Sequence, residues 1–305
     1  MGSDVDDALA LALLLASPEL RLEAVTTVGR NGPVRARATA ALLALAGRNE
    51  IDVCIGAERP CLRAEERFNW FGHEEDCVAD APAAVSDEPG ALRIVRAARE
   101  VSNLEIVAIG PMTTLAQALA LDPKLPRRVA SLTLMGGHVR EVHVGGRLLK
   151  PGIDYNLCAD PEASMAVLGA GFPTSLVTAD VTLSTWLCDE DTRRLEARGG
   201  LAGELARQVA IWKPVQHRIF AAIGGELEAD NAAFLHDPLT LLSLVDASPL
   251  GFEELAIAPT IRGSVLRTLE VEAASGVGTS MRVATSVDAP AARAAIVERL
   301  LRLPA

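Results

Sequence analysis

Short apolar runs that suit β-strands alternate along most of this chain with longer segments that suit helices. The run at 22–28 is rich in β-branched residues, and a helical pattern over 34–46 follows it. Pro33 near the start of that pattern and Gly47 just past its end are typical helix boundaries. Because the order then repeats with connections of a few residues, we predict an α/β protein with a mostly parallel sheet. The predicted elements are helices at 8–16, 34–46, 90–101 and 113–121, and strands at 22–28, 51–55, 105–109, 131–135 and 174–179.

The remaining segments interrupt or extend this alternation. Residues 60–90 are rich in charge and Pro, so we predict a long loop or short irregular helices there. We expect a loop or hairpin over 140–152, and helix throughout 188–224 with a break at Pro214. With no internal repeat and no convincing linker, residues 1–305 are predicted to form a single domain. The predicted C-terminal elements are a helix at 236–244, strands near 254–258, 265–273 and 280–287, and a final helix from Pro290.

The composition argues against several classes of protein. The formal net charge of −11 disfavours a nucleic-acid partner, which would require a basic face. No apolar run approaches the ~18 residues of a membrane span, and the N-terminus lacks the basic residues of a secretory signal, so no membrane partner is expected. The five cysteines show no C-x-x-C spacing and are typical of buried thiols in a reducing compartment. We therefore predict a soluble, cytoplasmic protein.

A cluster of carboxylates lies at the start of the chain, where Asp4, Asp6 and Asp7 precede an apolar run that continues to Ala16. Carboxylates on a short loop repel one another unless a cation or hydrogen-bond donors lie between them. Such oxygen-rich clusters suit a hard cation such as Ca²⁺. Asp residues also favour helix N-termini, where they cap free N–H groups, so both interpretations are open for this stretch alone.

Further polar residues follow the predicted strands. In open α/β sheets ligands bind beyond the carboxyl ends of the strands, which makes these residues candidates for a site. Asn31 and Asp237 could equally cap the helices that follow them, His236 could be a half-buried structural histidine, and His73 could be solvated in its charged loop. The candidates are Asn31, the corner at 109–111, the segment 135–137, Asp154 and Asn156, and the corner at 236–238.

In this order and at these separations, the motifs resemble those of the inosine/uridine-preferring nucleoside hydrolases, which are nucleoside N-ribohydrolases. The resemblance covers almost the whole chain. It implies the nucleoside hydrolase fold, with a Rossmann-like core, and hydrolysis of a ribonucleoside to ribose and free base. The motifs are Asp6-Asp7-Ala8-Leu9-Ala10, Val25-Thr26-Thr27-Val28 with Asn31, Gly110-Pro111-Met112-Thr113, Met135-Gly136-Gly137, Asp154-Tyr155-Asn156 with Asp160-Pro161-Glu162-Ala163, and His236-Asp237-Pro238.

The resemblance also implies a Ca²⁺ ion at the bottom of the pocket. Asp7 and Asp237 would be its carboxylate ligands, and the carbonyl of Ile109 its main-chain ligand. The ion would bind the ribose 2′- and 3′-hydroxyls and the attacking water, whose pKa a metal lowers.

The remaining site residues would contact the substrate. By the resemblance, Asp6 accepts hydrogen bonds from the ribose hydroxyls, helped by Asn31 and Asn156. Asp154, which stands where the family usually has Glu, would face the ribose, and Met135 would pack beside it. His73 matches a family histidine and joins the candidate substrate-binding residues. Possible walls of a base pocket are Trp70, Phe71, Tyr155, Gln216 and His217.

The chemistry of N-glycosidic cleavage fits these residue types. The sugar becomes oxocarbenium-like in the transition state, and nearby carboxylates stabilise its positive charge. His236 matches a family histidine that protonates the leaving base, which suits a side chain that titrates near neutral pH. The expected partner is therefore a small ribonucleoside, and the resemblance implies a homo-oligomer, either a dimer or a tetramer.

One departure from the family concerns the beginning of the chain. Members open with a strand and an Asp-x-Asp motif whose second Asp is the general base, and these would lie ahead of Gly2. We therefore hypothesise that Met1 is an internal codon of a longer reading frame. The alternatives are that Asp4 or Asp6 serves as the base, or that the chain binds ribose or nucleosides without turnover. A further alternative is a structural or interaction protein whose Asp cluster only caps a helix.

Overall fold

The computed structural model describes residues 1–152 and 154–304. Helices and strands alternate through most of this range. The helices are α1 (Asp6–Leu15), α2 (Gly32–Leu45), α3 (Gly90–Glu100), α4 (Thr113–Leu121), α5 (Tyr155–Ala159), α6 (Pro161–Leu168), α7 (Ala179–Thr182), α8 (Asp189–Arg198), α9 (Gly200–Ala222), α10 (His236–Val245) and α11 (Ala289–Leu300). The strands are β1 (Ala24–Thr26), β2 (Asp52–Cys54), β3 (Glu105–Ala108), β4 (Ser131–Met135), β5 (Val142–Val144), β6 (Arg147–Leu149), β7 (Thr174–Val177), β8 (Trp186–Cys188), β9 (Asn231–Phe234), β10 (Leu250–Arg262), β11 (Val265–Val271) and β12 (Thr279–Val287).

The largest sheet has six strands in the order β11-β10-β12-β7-β4-β3. The pairs β3–β4, β4–β7 and β7–β12 are parallel, whereas β10 pairs antiparallel with both β11 and β12. The parallel half follows from the strand–helix–strand order of the sequence, since parallel neighbours require a crossover connection. The predicted α/β class with a mostly parallel sheet flanked by helices is therefore confirmed.

Strands β1 and β2 form a separate parallel pair. Within the described residues no pairing joins β1 to β3, and a cleft of about 470 Å³ lies between the two strands. Residues 19–28 line one side and 101–112 the other, with Leu14 and Leu241 among the apolar side chains that also line the cleft. Val25 and Val107 are consequently only half-buried, whereas four of the five residues of β4, which pairs on both edges, are buried.

The apolar core consists mainly of Ala, Leu and Val, as the low aromatic content requires. The part that positions the site contains α1 and α10, which pack directly on each other. Leu9 and Leu13 of α1 and Leu239 and Leu242 of α10 are fully buried there. This contact fixes the relative position of the two helix N-termini.

Two local predictions about helices and cysteines were wrong. The segment 188–224 divides at Gly199, not at Pro214, because Gly199 has φ +71° and ψ −165°, a conformation that only glycine adopts readily. Pro214 lies within α9, where buried Trp212 and Val215 on either side hold the helix together. All five cysteines are free, as expected, but Cys61 is exposed and Cys188 is half-buried instead of both being buried.

The irregular segments agree with the predictions in outline. Residues 60–90 contain two short 3₁₀ turns, Glu65–Arg67 and Glu74–Cys77. The hairpin expected over 140–152 is the pair β5–β6. In the described part of the chain no helix is long and apolar enough to cross a membrane.

Candidate active site

Three carboxylates meet where α1 and α10 begin. Asp6 and Asp7 lie in the first turn of α1, and Asp237 lies in the first turn of α10. One carboxylate oxygen from each of the three lies within 4.8 Å of the others. The N-terminus of a helix carries partial positive charge, so two such ends partly offset the repulsion between the carboxylates.

Burial and mutual repulsion strain this cluster. Burial raises the pKa of Asp6 well above its usual value, and the charges of Asp237, Asp4 and Asp7 raise it further. The pKa of Asp237 is raised in the same way, first by burial and then by Asp7 and Asp4. Burial is also the main cause that raises the pKa of Asp4 to about 7.

The donor set fits a hard divalent cation. All the converging atoms are carboxylate oxygens, which are the ligands that Ca²⁺ and Mg²⁺ prefer. The Met1 nitrogen lies 3.0 Å from Asp7 Oδ2.

Helix capping does not explain the cluster. The residue at the N-cap of α1 is Val5 and that of α10 is Leu235, so Asp7 and Asp237 each lie one step or more inside their helix. Neither helix has a hydrogen bond from a side chain at its N-cap position. Asp6 does accept a hydrogen bond from the Asp7 amide at 3.0 Å. The capping alternative therefore accounts for Asp6 in part, and no capping hydrogen bond accounts for Asp7 or Asp237.

A cavity of about 290 Å³ opens above the carboxylates. It lies beyond the carboxyl ends of β3 and β4, as expected for an open α/β sheet. The cleft between β1 and β3 is larger, but its walls are mainly strand edges, so the smaller cavity is the candidate site. Predicted site residues that line the smaller cavity are Asp6, Asp7, Ile109, Met135, Asp154, Asn156, His236 and Asp237.

Asn156 connects the ends of two strands at this cavity. Its Nδ2 donates to the carbonyls of Ile109 and Met135, each at 3.1 Å. Both amide protons are thereby used, while Oδ1 accepts no hydrogen bond from the described residues. The side chain thus presents an acceptor to the cavity.

Asp154 is buried beside Asn156 and caps α5. Its Oδ1 accepts the Leu157 amide at 2.9 Å. Burial raises the pKa of Asp154 to about 6 despite several backbone hydrogen bonds that lower it. Gly136 permits this close packing, since a Cβ there would lie 3.1 Å from Leu157 Cγ and 3.3 Å from Asp154 Oδ1.

His236 forms part of the opposite wall. Its Nδ1 lies 2.6 Å from the hydroxyl of Thr182, and its ring lies 5.4 Å from that of Phe234 at 34°. Some of the residue remains exposed through the cavity, but protein surrounds the ring elsewhere and lowers its pKa to about 4. His236 is therefore a neutral imidazole at pH 7.

Comparison with known proteins identifies the family. The family model described as inosine-uridine preferring nucleoside hydrolase matches residues 1–294. The chain belongs to this family. It is 30% identical over 247 residues to the pyrimidine-specific ribonucleoside hydrolase of Citrobacter koseri, covering 79% of this chain and 76% of that protein.

Solved structures agree in fold. A purine-preferring ribonucleoside hydrolase from Gardnerella vaginalis aligns with a TM-score of 0.84 at 24% identity, covering 99% of this chain and 97% of that one. A plant nucleoside hydrolase aligns with a TM-score of 0.82 at 25% identity over the same shares of the two chains. The predicted nucleoside hydrolase fold is confirmed, and the family is one of glycosidases.

Two of the residues that the resemblance assigned to substrate, Asn31 and His73, do not line the cavity. Asn31 is exposed and adopts a left-handed conformation with φ 55°; it is the N-cap residue of α2, but its side chain makes no capping hydrogen bond. His73 lies behind the wall, where its Nε2 donates to the Ser3 carbonyl at 2.9 Å. Its ring packs against those of Phe71 and Trp212.

Most residues of the aromatic and apolar wall of this cavity were not predicted from the sequence. Phe71, Tyr155 and Gln216 line the cavity as considered, whereas Trp70 and His217 do not. The wall residues that sequence reasoning did not single out are Trp212, Ile219, Phe220 and Phe234. The spacing of Trp212, Gln216 and Phe220 places them on one face of α9, and this i, i+4, i+8 pattern was the available signal.

Proposed function

We propose that this chain hydrolyses the N-glycosidic bond of ribonucleosides, releasing ribose and the free base. The observation that carries the proposal is the arrangement of one cavity. Its floor is a buried carboxylate cluster, and an imidazole and aromatic rings stand on its walls. Membership of a family of hydrolases supports the same conclusion.

The carboxylate cluster holds one Ca²⁺ ion in this proposal. Asp7 and Asp237 supply carboxylate oxygens, and Ile109, which lines the same cavity, supplies its carbonyl. That carbonyl already accepts one hydrogen bond from Asn156 and keeps its second lone pair. When bound, the ion lowers the pKa of a coordinated water and orients the ribose diol.

The side chains around the floor bind and polarise the sugar. Asp6 accepts hydrogen bonds from ribose hydroxyls and, with Asp4 beside it, is available to take a proton from the attacking water. Asn156 Oδ1 accepts a further hydroxyl, Asp154 faces the sugar, and Met135 packs against it. The negative charge of the carboxylates stabilises the oxocarbenium-like transition state. Asn31 and His73 stay predictions as substrate-binding residues, since neither lines the cavity.

The leaving base lies between His236 and the aromatic wall. The neutral imidazole of His236 donates a hydrogen bond to the base as the bond breaks, and the departing base then takes up a proton from water. Phe71, Trp212 and Phe220 supply apolar surface that suits the face of a base. We further propose that residues 1–305 act as one catalytic domain and that the chain forms a homo-oligomer, a dimer or a tetramer, as the family resemblance implies. The composition supports a cytoplasmic location.

Turnover and metal binding are tested together. Chelator-stripped protein should bind one Ca²⁺ per chain by calorimetry, and Ca²⁺ should restore release of ribose from inosine or uridine. Asp237→Asn should abolish both. Asp288→Asn is the matched control, because Asp288 is an exposed carboxylate that caps α11 outside the cavity.

The outcomes separate the competing functions. One bound Ca²⁺ with turnover supports hydrolysis. If the chain binds Ca²⁺ and ribose without turnover, hydrolysis is refuted and the alternative of a nucleoside-binding protein is supported. Equal Ca²⁺ binding by the parent chain and Asp237→Asn would overturn the proposed site.

A further inference from the structure

Thr182 makes an unusual contact with the imidazole of the site. It lies at the end of α7, directly after β7, and is fully buried without lining the cavity. Its Oγ1 is 2.6 Å from His236 Nδ1, shorter than a typical hydrogen bond between nitrogen and oxygen. Because Thr182 contacts the His236 ring on the side away from the cavity, it can set the orientation and the tautomer of that ring.

The single hydroxyl proton of Thr182 has two possible acceptors. One is His236 Nδ1 at 2.6 Å, and the other is the Ala179 carbonyl at 3.5 Å. The Ala179 carbonyl already accepts the Leu183 amide at 2.9 Å. The short, unshared contact with His236 is therefore the better use of the proton.

This assignment determines the tautomer of the imidazole. An Nδ1 atom that accepts a hydrogen bond from the Thr182 hydroxyl carries no proton, so the ring proton of His236 is on Nε2. Nε2 forms no hydrogen bond with the described residues and is not among their buried unpaired atoms. His236 itself lines the cavity. The free N–H is therefore available to a ligand in the cavity.

We infer that Thr182 is a positioning residue that fixes His236 as the Nε2–H tautomer and holds its ring against Phe234, so that the N–H meets the leaving base. The Phe234 ring packs beside the imidazole, and the Thr182 hydroxyl holds its Nδ1 by a hydrogen bond. This inference rests on the proposed function, in which the base departs beside His236.

Activity tests use two substrates that differ in their need for a proton. Thr182→Val keeps the shape of the side chain and removes the hydroxyl. Full proton transfer to a leaving group typically contributes ~10²–10⁴-fold, and a hydrogen bond to the departing base contributes less, so we expect a loss of ~10–100-fold in kcat on uridine or inosine, with KM within threefold. Cleavage of p-nitrophenyl riboside, whose leaving group needs no proton, should change less than threefold. Thr182→Ser should restore the nucleoside rate to within about threefold.

Thr240→Val is the matched control. Thr240 is also fully buried, and its hydroxyl bonds to the backbone carbonyl of His236 at 3.1 Å without touching the imidazole. Its removal should not alter the ratio of rates on the two substrates. Equal losses on both substrates in Thr182→Val, or no rescue by Thr182→Ser, would overturn the inference.

Nitrogen NMR gives a reading that does not depend on turnover. In the parent chain the ¹⁵N shifts of His236 should show an unprotonated Nδ1 and a protonated Nε2, and Thr182→Val should mix the two tautomers. A protonated Nδ1 in the parent chain would contradict the inference. If the spectra match the prediction but the protein cleaves no nucleoside, the positioning role of Thr182 is supported and the proposed function is refuted.

Discussion

At the scale of single residues, Asp154 shows how the site costs stability. The pKa of its buried carboxyl is about 6, above the ordinary value of 3.8 in an unfolded chain. The folded state therefore binds this proton more tightly than the unfolded chain. The stability that protonated Asp154 contributes is complete below pH 4 and is lost as the pH rises toward 6. A difference of about two pKa values corresponds to ~3 kcal/mol.

We predict that Asp154→Asn removes this loss. Asn keeps the acceptor for the Leu157 amide but cannot ionise. The free energy of unfolding of the variant should match that of the parent near pH 4 and exceed it by up to ~3 kcal/mol at pH 7. Urea titrations at several pH values measure the difference. Asp288→Asn should show no such trend, and a constant difference between parent and Asp154→Asn at all pH values would refute the prediction.

Single residues also show which parts of the site could be predicted from the sequence and which could not. Asp6, Asp7, Asp237 and Asn156 line one cavity, as the family resemblance implied, and their roles there stay predictions. Thr182 gave no signal, because its role depends on an approach of α7 to α10 that no local pattern encodes. The exposed position of Asn31 depends on a left-handed backbone conformation that the resemblance did not reveal.

At the scale of elements, α9 supplies one wall of the cavity. Trp212, Gln216 and Phe220 lie on the face that meets the site. Gln216 is fixed by hydrogen bonds with Asn231 and the Phe234 amide, each at 3.0 Å. In the proposed function this face of the helix therefore provides a fixed surface for the base.

We predict that Phe220→Ala raises KM for uridine and inosine with little change in kcat. Contact with the wall is the same in the bound ground state and in the transition state, so its loss weakens binding uniformly. An aromatic contact worth ~0.5–1.5 kcal/mol corresponds to a ~2–12-fold change in KM. Phe252→Ala is the control, since Phe252 is also half-buried but packs under Arg282 away from the cavity. A fall in kcat at constant KM would show that Phe220 has another role.

Most elements were predictable because the sequence carries both their periodicities and their boundaries. Strand β4 was predicted with its observed bounds, since apolar residues continue up to Gly136-Gly137. Helix α7 and the pair β8–β9 were missed because they have only three or four residues each and are stabilised by tertiary packing. The expectation that an internal proline breaks a helix fails at Pro214 for the same reason, since packing on both sides outweighs the lost hydrogen bond.

At the scale of the whole molecule, the cleft between β1 and β3 stands out. Residues of β1 and of β3 line it, and among the described residues each of these strands is paired on one edge only. Unpaired strand edges are ready to bind an added strand. Met1 lines both this cleft and the candidate active site, so a segment joined to its amino group would enter the cleft from the end nearest the site.

We predict that five or six alternating Val and Ile residues fused ahead of Met1 pair with both edges. The added strand would bury apolar side chains worth ~1.5–3 kcal/mol each at full burial, so the free energy of unfolding should rise by several kcal/mol. Hydrogen exchange of the β1 and β3 amides should slow. An extension of equal length with Pro at every second position cannot donate these bonds and serves as the control. Equal stability of the two fusions would show that the cleft does not accept a strand.

The central claim is that one cavity holds a cation on its carboxylates and a ribose above it. A crystal structure grown with Ca²⁺ and ribose tests this most directly. The account predicts one Ca²⁺ bound by Asp7, Asp237 and the Ile109 carbonyl, with the ribose hydroxyls on the ion, Asp6 and Asn156. A cation bound elsewhere, or a ribose bound away from these carboxylates, would contradict it.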